Sequence, residues 1–175
     1  SNEVYGSNLL GIDPELERQV SVVSEFLIQG SFESLEANSN NIVLGEILAR
    51  KLNLDLGDKV SLMLPDKNPS FAGYFPRISN FKVSGIFRVG SADLDESIAY
   101  INIDEAASLL SLNENVHGLR LKFDDLFQAN YLAWDVLINA ETVTEDILTV
   151  QDWTYSYGPL CKAILQERVL VGLRL

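Results

Sequence analysis

The chain has 175 residues, 47% of them apolar, and 25 acidic side chains against 13 basic ones give it a formal net charge of -12. That apolar share can bury a core in one domain or two small subdomains. The acidic excess excludes nucleic acid as a partner, because neutralising phosphates needs clustered Lys and Arg, and it disfavours contact with an anionic membrane surface.

No run of about 20 apolar residues is present to cross a bilayer, and no charged, apolar, small-residue leader opens the chain. A soluble piece is expected, and Ser1-Asn2 reads as a remnant of tag removal from a longer product. In GIDPELERQ, Asp13 suits an N-cap, Pro14 the first helical position, and Glu15 and Glu17 the negative first turn. Leu16, Val20, Val23 and Leu27 follow at helical spacing, which predicts a helix or helical pieces reaching toward Ile28 before Gly30 stops them. The polar stretch from Glu36 to Asn41 reads as a linker and a first boundary.

Ile42 to Leu44 predicts a short strand, and residues 45 to 53 a helix with Ile47, Leu48 and Leu52 on one side and Arg50 and Lys51 facing solvent. That helix is too short to stand alone and must dock on neighbouring strands. After the Gly57-Asp58 turn, Val60, Leu62 and Leu64 alternate as in a strand. The next strand, FKVSGIF, runs from Phe81 to Phe87, with a bulge or bend expected near Gly85. Between them, Pro65 to Asn80 reads as a long connection rich in aromatics, and such loops in compact domains are functional or disordered.

RVGSADLDES reads as a turn-rich connection whose Asp93, Asp95 and Glu96 lack calcium-loop spacing and are assigned to a solvated loop. A strand over Ile98 to Ile103 and a short helix capped by Asp104 and ending near Asn113 follow. Leu119, Leu121 and Phe123 alternate with Arg120 and Lys122, the pattern of a half-buried strand. From Asp124 or Asp125 to about Ala140 the longest helix is predicted, with Phe127, Tyr131, Trp134, Leu137 and Ile138 as a core-facing stripe. A strand from Ile147 toward Trp153 and an amphipathic helix from Pro159 to Leu175 complete the chain. The end of that helix, VLVGLRL, is apolar nearly all round, as in a helix about to enter a membrane.

Strands and helices thus interleave without a regular βαβ rhythm, so the fold class is α+β. Chemistry-bearing motifs are missing. Cys161 and His117 each stand alone, which leaves a disulfide, a zinc site or a His-based triad without its parts, and Cys161 is assigned to a buried apolar position. No glycine-rich phosphate loop or nucleophile elbow occurs, and carboxylate pairs are too common in so acidic a chain to single one out. No catalysis, cofactor or metal is expected.

The segments GIDPELE, GSFESL, NIVLGEILARKLNLDLGDKVSLMLP, FKVSGIF, IAYINIDEAASLL, GLRLKFDD and QDWTYSYG resemble the periplasmic domain of the LolC/LolE family. These are permease subunits of the bacterial lipoprotein-releasing ABC transporter, within the wider MacB-like and FtsX-like group. The resemblance runs from Gly11 onward, and IVLGEILARKL, GDKVSLMLP and GIF at their separations are its most specific part. It implies a MacB-like α+β domain of two subdomains: a Sabre-like one over residues 38–113, and a Porter-like one built from 1–37 plus 114–160, with 161–175 leading to a transmembrane segment. It also implies a non-catalytic role on the periplasmic side of the inner membrane, guiding outer-membrane-directed lipoproteins toward a chaperone. The partners implied are a LolC-like sister subunit, a separate ABC ATPase subunit reached through the membrane part, the lipoprotein itself and a LolA-like chaperone.

LolC-like members carry a hook in the loop after the GDKVSLMLP strand, with a pattern like F-T-P-x-G-x-x-P-R. Here PDKNPSFAGYFPRI keeps Phe71, Gly73, Pro76 and Arg77 in that order but lacks the Thr-Pro. Asn68-Pro69 and the ending WTYSYG are more similar to LolE, which in the family receives the lipoprotein. The expected partner-binding residues are therefore Asn68, Pro69, Phe71, Gly73, Tyr74, Phe75, Pro76 and Arg77. Against this stands a plainer reading in which the aromatics fold back over their own sheet edge. A functional alternative is a mechanotransmission domain of a MacB-like or FtsX-like permease with no lipoprotein cargo.

Overall fold

The computed structural model describes residues 4–64, 77–113, 115–125, 127–140 and 149–151. The chain divides into two compact units, Ser1–Leu119 and Arg120–Leu175.

The first unit is built on a six-stranded mixed sheet. Its strands are β1 (Asn8–Ile12), β2 (Leu27–Gly30), β3 (Asn41–Gly45), β4 (Lys59–Leu64), β5 (Arg77–Phe87) and β6 (Ile98–Asn102). They lie in the order β1-β6-β3-β5-β2, with β4 also paired to β5. β1 runs parallel to β6 and β3 parallel to β5, whereas β3 is antiparallel to β6, and β2 and β4 to β5. The two outer strands of that order, β1 and β2, both come from residues 1–37. They are joined to the middle segment through one hydrogen-bonded sheet.

Asp13 caps α1 (Pro14–Val20) as its sequence predicts, its Oδ1 accepting from the N–H groups of Glu15 at 2.8 Å and Leu16 at 3.3 Å. The helix does not continue toward Ile28. Ser21 is extended, a 3-10 turn covers Val23–Phe26, and Leu27–Gly30 enters the sheet. Val20, Val22 and Val23 are β-branched and resist helix, while β5 offers strand pairing to Leu27, Gln29 and Gly30. Gly30 is required there: its φ is +77°, and a Cβ would lie 2.0 Å from the Ser84 carbonyl oxygen.

β3 leads directly into α2 (Glu46–Leu52), which docks through buried Leu48 and Ala49 and ends at Asn53 in the left-handed conformation. The expected irregularity near Gly85 is present: Ile42 pairs with Val83 but Val43 with Gly85, so Ser84 bulges out of register. Alternation along the strands makes two cores. Ile42, Leu44, Val83, Ile86 and Ile101 pack with Leu48 and Ala49 of α2 and with Ala106 of α4 (Ile103–Leu110). On the other face Val43, Phe87 and Tyr100 pack with Ile12, Val23, Phe32 and Leu35. Tyr100 stands edge-on to both Phe32 and Phe87, with centroids 5.3 and 5.6 Å apart.

The stretch assigned to a solvated acidic loop is instead α3 (Ala92–Ser97), with Asp95 buried. Its Oδ1 and Oδ2 accept the N–H groups of Val89 at 2.8 Å and Gly90 at 3.0 Å, which ties off the turn after β5. α4 is capped by Asn102, not Asp104: Asn102 Oδ1 accepts from the Asp104 N–H at 2.8 Å, while its Nδ2 donates to the Leu35 carbonyl at 3.0 Å.

In the second unit α5 (Ala129–Ala140) begins later than predicted. Of its apolar stripe Leu137 alone is buried, and Phe127, Tyr131, Trp134 and Ile138 are exposed. Leu119 to Phe123 form no strand, and Leu119 and Leu121 are exposed. Alternation defines which face a strand would bury, but a strand also needs an edge to bond to. The helix expected from Pro159, Cys161, and all of the strand expected from Ile147 except residues 149–151 lie outside the described residues; 149–151 are not in a strand.

Candidate interaction surface

β5 begins at Arg77, not Phe81, so residues 77–80 of the connection expected over Pro65 to Asn80 are strand, and 65–76 lie outside the described residues. β3 pairs with β5 only from Lys82 onward and β2 only from Gly85, so β4 is the strand partner of Arg77–Phe81 among the described residues. The result is a two-stranded arm that extends past the end of β3. Antiparallel pairing sorts its rungs by face. Val60↔Phe81, Leu62↔Ser79 and Leu64↔Arg77 share the inner face, where Phe81 is buried and Val60 and Leu62 pack on the core. Lys59↔Lys82, Ser61↔Asn80 and Met63↔Ile78 share the outer face, where the Ser61 hydroxyl donates to Asn80 Oδ1 at 2.7 Å.

Met63 and Ile78, directly opposite each other one rung from the Leu64↔Arg77 pair, are 57% and 59% exposed. Two large apolar side chains set side by side on an outward face mark a contact surface more than single exposed residues do. Neither is among the partner-binding residues expected from the sequence. A signal was available, because the β4 alternation that turns Leu62 and Leu64 inward turns Met63 outward, but Ile78 could be placed only once β5 was known to start at Arg77.

Of the expected partner-binding residues, Arg77 lies among the described residues; Asn68, Pro69, Phe71, Gly73, Tyr74, Phe75 and Pro76 lie outside them. Arg77 is exposed, and its Nη1 donates to Ser111 Oγ at 2.7 Å and to the Leu109 carbonyl at 3.4 Å, both at the C-terminal end of α4. At the opposite end of β5, Arg88 clasps Glu46 at the start of α2, Nε to Oε2 at 2.7 Å and Nη2 to Oε1 at 2.5 Å, with Arg50 at 3.8 Å. The hydrogen bond from Arg88 holds the Glu46 carboxyl below its ordinary 4.5, helped by the charges of Arg88 and Arg50, and the same bond raises Arg88. This fork ties strand to helix at the surface and makes no reactive group.

Among the described residues no group of three or more His, Cys, Asp or Glu side chains could hold a metal ion. No helix among them is long and apolar enough to cross a membrane. A shallow polar depression beside α4 is lined by Asp104, Ala107, Ser108, Ser111 and Asn113, a set without nucleophile and base in a catalytic pairing.

The class defined by these features is an α+β domain built around a mixed sheet with an outward arm. No family model matches the chain. It is similar to the lipoprotein-releasing system transmembrane protein LolC of Xylella fastidiosa, at 33% identity over 165 residues, 94% of this chain and 39% of that protein. The protein of the same name from Neisseria meningitidis serogroup B is 34% identical over 171 residues, 97% of this chain and 40% of its own length. The lipoprotein-releasing system transmembrane protein LolE of Haemophilus influenzae is 25% identical over 162 residues, 92% of this chain and 38% of its own length. The chain belongs to the LolC/LolE family. It spans about two fifths of the length of the curated relatives it matches. The higher identities go with the name LolC, so they do not follow the leaning toward LolE taken from Asn68-Pro69 and WTYSYG.

Proposed function

We propose that this chain is the non-catalytic periplasmic domain of an inner-membrane lipoprotein-releasing transporter subunit, and that it guides outer-membrane-directed lipoproteins toward a periplasmic chaperone. The observation that carries this reading is the arm: β4 and β5 leave the sheet together and hold the 65–76 connection at their end, with Met63 and Ile78 exposed beside it. The relatives' names supply the cargo class, lipoprotein. Phe71, Tyr74 and Phe75, carried in that connection, would each contribute about 1.5–3 kcal/mol if buried against a partner. ATP hydrolysis belongs to a separate ABC ATPase subunit, reached through membrane helices shared with a sister subunit of the same family. A domain of this kind supplies surfaces and leverage, not bond chemistry.

The test is site-specific photocrosslinking in the intact transporter, with the probe placed in turn at Met63, Ile78 and positions 66–76. Capture of lipoprotein or of a LolA-like chaperone is the expected result. Capture of the sister subunit alone, at every position, overturns the guiding role and leaves a mechanotransmission domain in its place.

A further inference from the structure

We infer that Arg77 is a positioning residue, whose guanidinium at the C-terminal end of α4 sets the angle at which the β4–β5 arm leaves the sheet. The need for such a device follows from the pairing. Residues Arg77–Phe81 have β4 as their strand partner, and a two-stranded ribbon is marginal in water without packing beneath it. Among the described residues, the core cluster takes in Val60, Leu62 and Phe81 of the inner face but not the half-buried Leu64. Leu109 of α4 packs against the same cluster. The outermost rung among the described residues is Leu64↔Arg77, and Arg77 reaches from it to Ser111 and Leu109. At the root of the arm the outer rung sets Lys59 against Lys82, a like-charge pair that weakens the pairing where stiffness would otherwise come from.

α4 is suited to receive the cation. Its last turn carries no basic side chain, whereas α2 has Arg50 and Lys51 in its own. Ser111 closes α4 in the left-handed conformation, its N–H turned back to the carbonyls of Ala107 and Ser108, and Leu109 directs its carbonyl to Arg77. A guanidinium there meets the negative end of the helix and makes charge-assisted bonds. Arg77 therefore acts as a tether inside the fold. The consequence for docking rests on the function proposed above; the tether does not.

The experiment uses the 175-residue chain with Cys161→Ser and two spin labels, at Met63→Cys on the arm and Asp93→Cys on α3. In this background Arg77→Ala should broaden the label-to-label distance distribution and lower amide-exchange protection over Arg77–Phe81 about tenfold, as loss of exposed charge-assisted bonds does locally. Ser111→Ala should move both in the same direction by less, Arg77→Lys should restore only part of each, and the double variant should be no worse than Arg77→Ala. An unchanged distribution and unchanged protection in Arg77→Ala, or fully additive effects of the two alanines, overturns the tether. Partner capture at Ile78 in the intact transporter separates the two ideas. Capture lost with an unchanged distribution makes Arg77 a contact residue, against the tether and for docking. A broadened distribution in a chain whose arm captures no partner supports the tether and counts against docking.

Discussion

Gly45 and Asp95 meet at one crowded point between β3 and α3. The φ of Gly45, -65°, is ordinary for any residue, so the glycine is there for space: a Cβ would lie 2.3 Å from the Asp95 carbonyl oxygen and 2.7 Å from its carbon. Those atoms are backbone and cannot swing away, because the Asp95 side chain is itself bound to Val89 and Gly90. Gly45→Ala should therefore cost about 2–3 kcal/mol, read from a shift in urea midpoint at unchanged slope. Asp95→Ala should cost about 2–4 kcal/mol, since it strands two partly buried N–H groups, and Asp95→Asn, which keeps one acceptor, should cost less. An Asp95→Ala variant as stable as the parent would mean that water replaces the carboxylate at no cost. In the sequence Asp95 is one of three neighbouring carboxylates, and residue type alone gives no reason to separate it from Asp93 and Glu96. The burial that distinguishes it exists only once α3 has folded onto α2 and β3.

At the scale of elements, what was legible were those whose signals are local. Asp13-Pro14 announced α1, and Ile42 to Leu62 announced strand, helix and strand, because capping chemistry and periodicity are written within a few residues. The misplaced start of β5 has a physical reason. Arg77-Ile78-Ser79-Asn80 carries one apolar side chain, turned outward, and is strand because six β4 rungs, Lys59 to Leu64, run opposite it and its continuation. The α1 stop at Val20 is similarly a decision of the sheet edge. The Arg88–Glu46 fork is likewise a link between elements, from the end of β5 to the start of α2, and it makes a pH prediction. Glu46 is held below 4.5 in the folded state, so its contribution is complete above the ordinary carboxylate range and is lost as pH falls through the lowered value. Urea stability of the parent should exceed that of Glu46→Gln at pH about 6, with the gap closing toward pH about 3. Because the pair is exposed, about 1 M salt should shrink the gap. A gap that widens on acidification would contradict the assigned sign.

For the whole molecule, the question is which part of the chain folds by itself. Resemblance assigned residues 1–37 to a subdomain with 114–160, yet those first residues supply β1 and β2, and Ile12, Val23, Phe32 and Leu35 complete the core on one face of the sheet. Without them Val43, Phe87 and Tyr100 would lose their cover, so a piece confined to 38–113 should not fold cooperatively. A piece ending at Leu119 keeps both cores, all six strands and α1 to α4. It is long enough to bury most of the surface a small domain needs. Its expected behaviour is a single urea transition with a slope suited to its length, and amide protection in β3, β5 and β6 like that of the full chain. The 38–113 piece is the control and should show no such transition. The reverse result, a cooperative 38–113 and an unfolded 1–119, would return β1 and β2 to the other subdomain and make their pairing in the sheet a secondary contact.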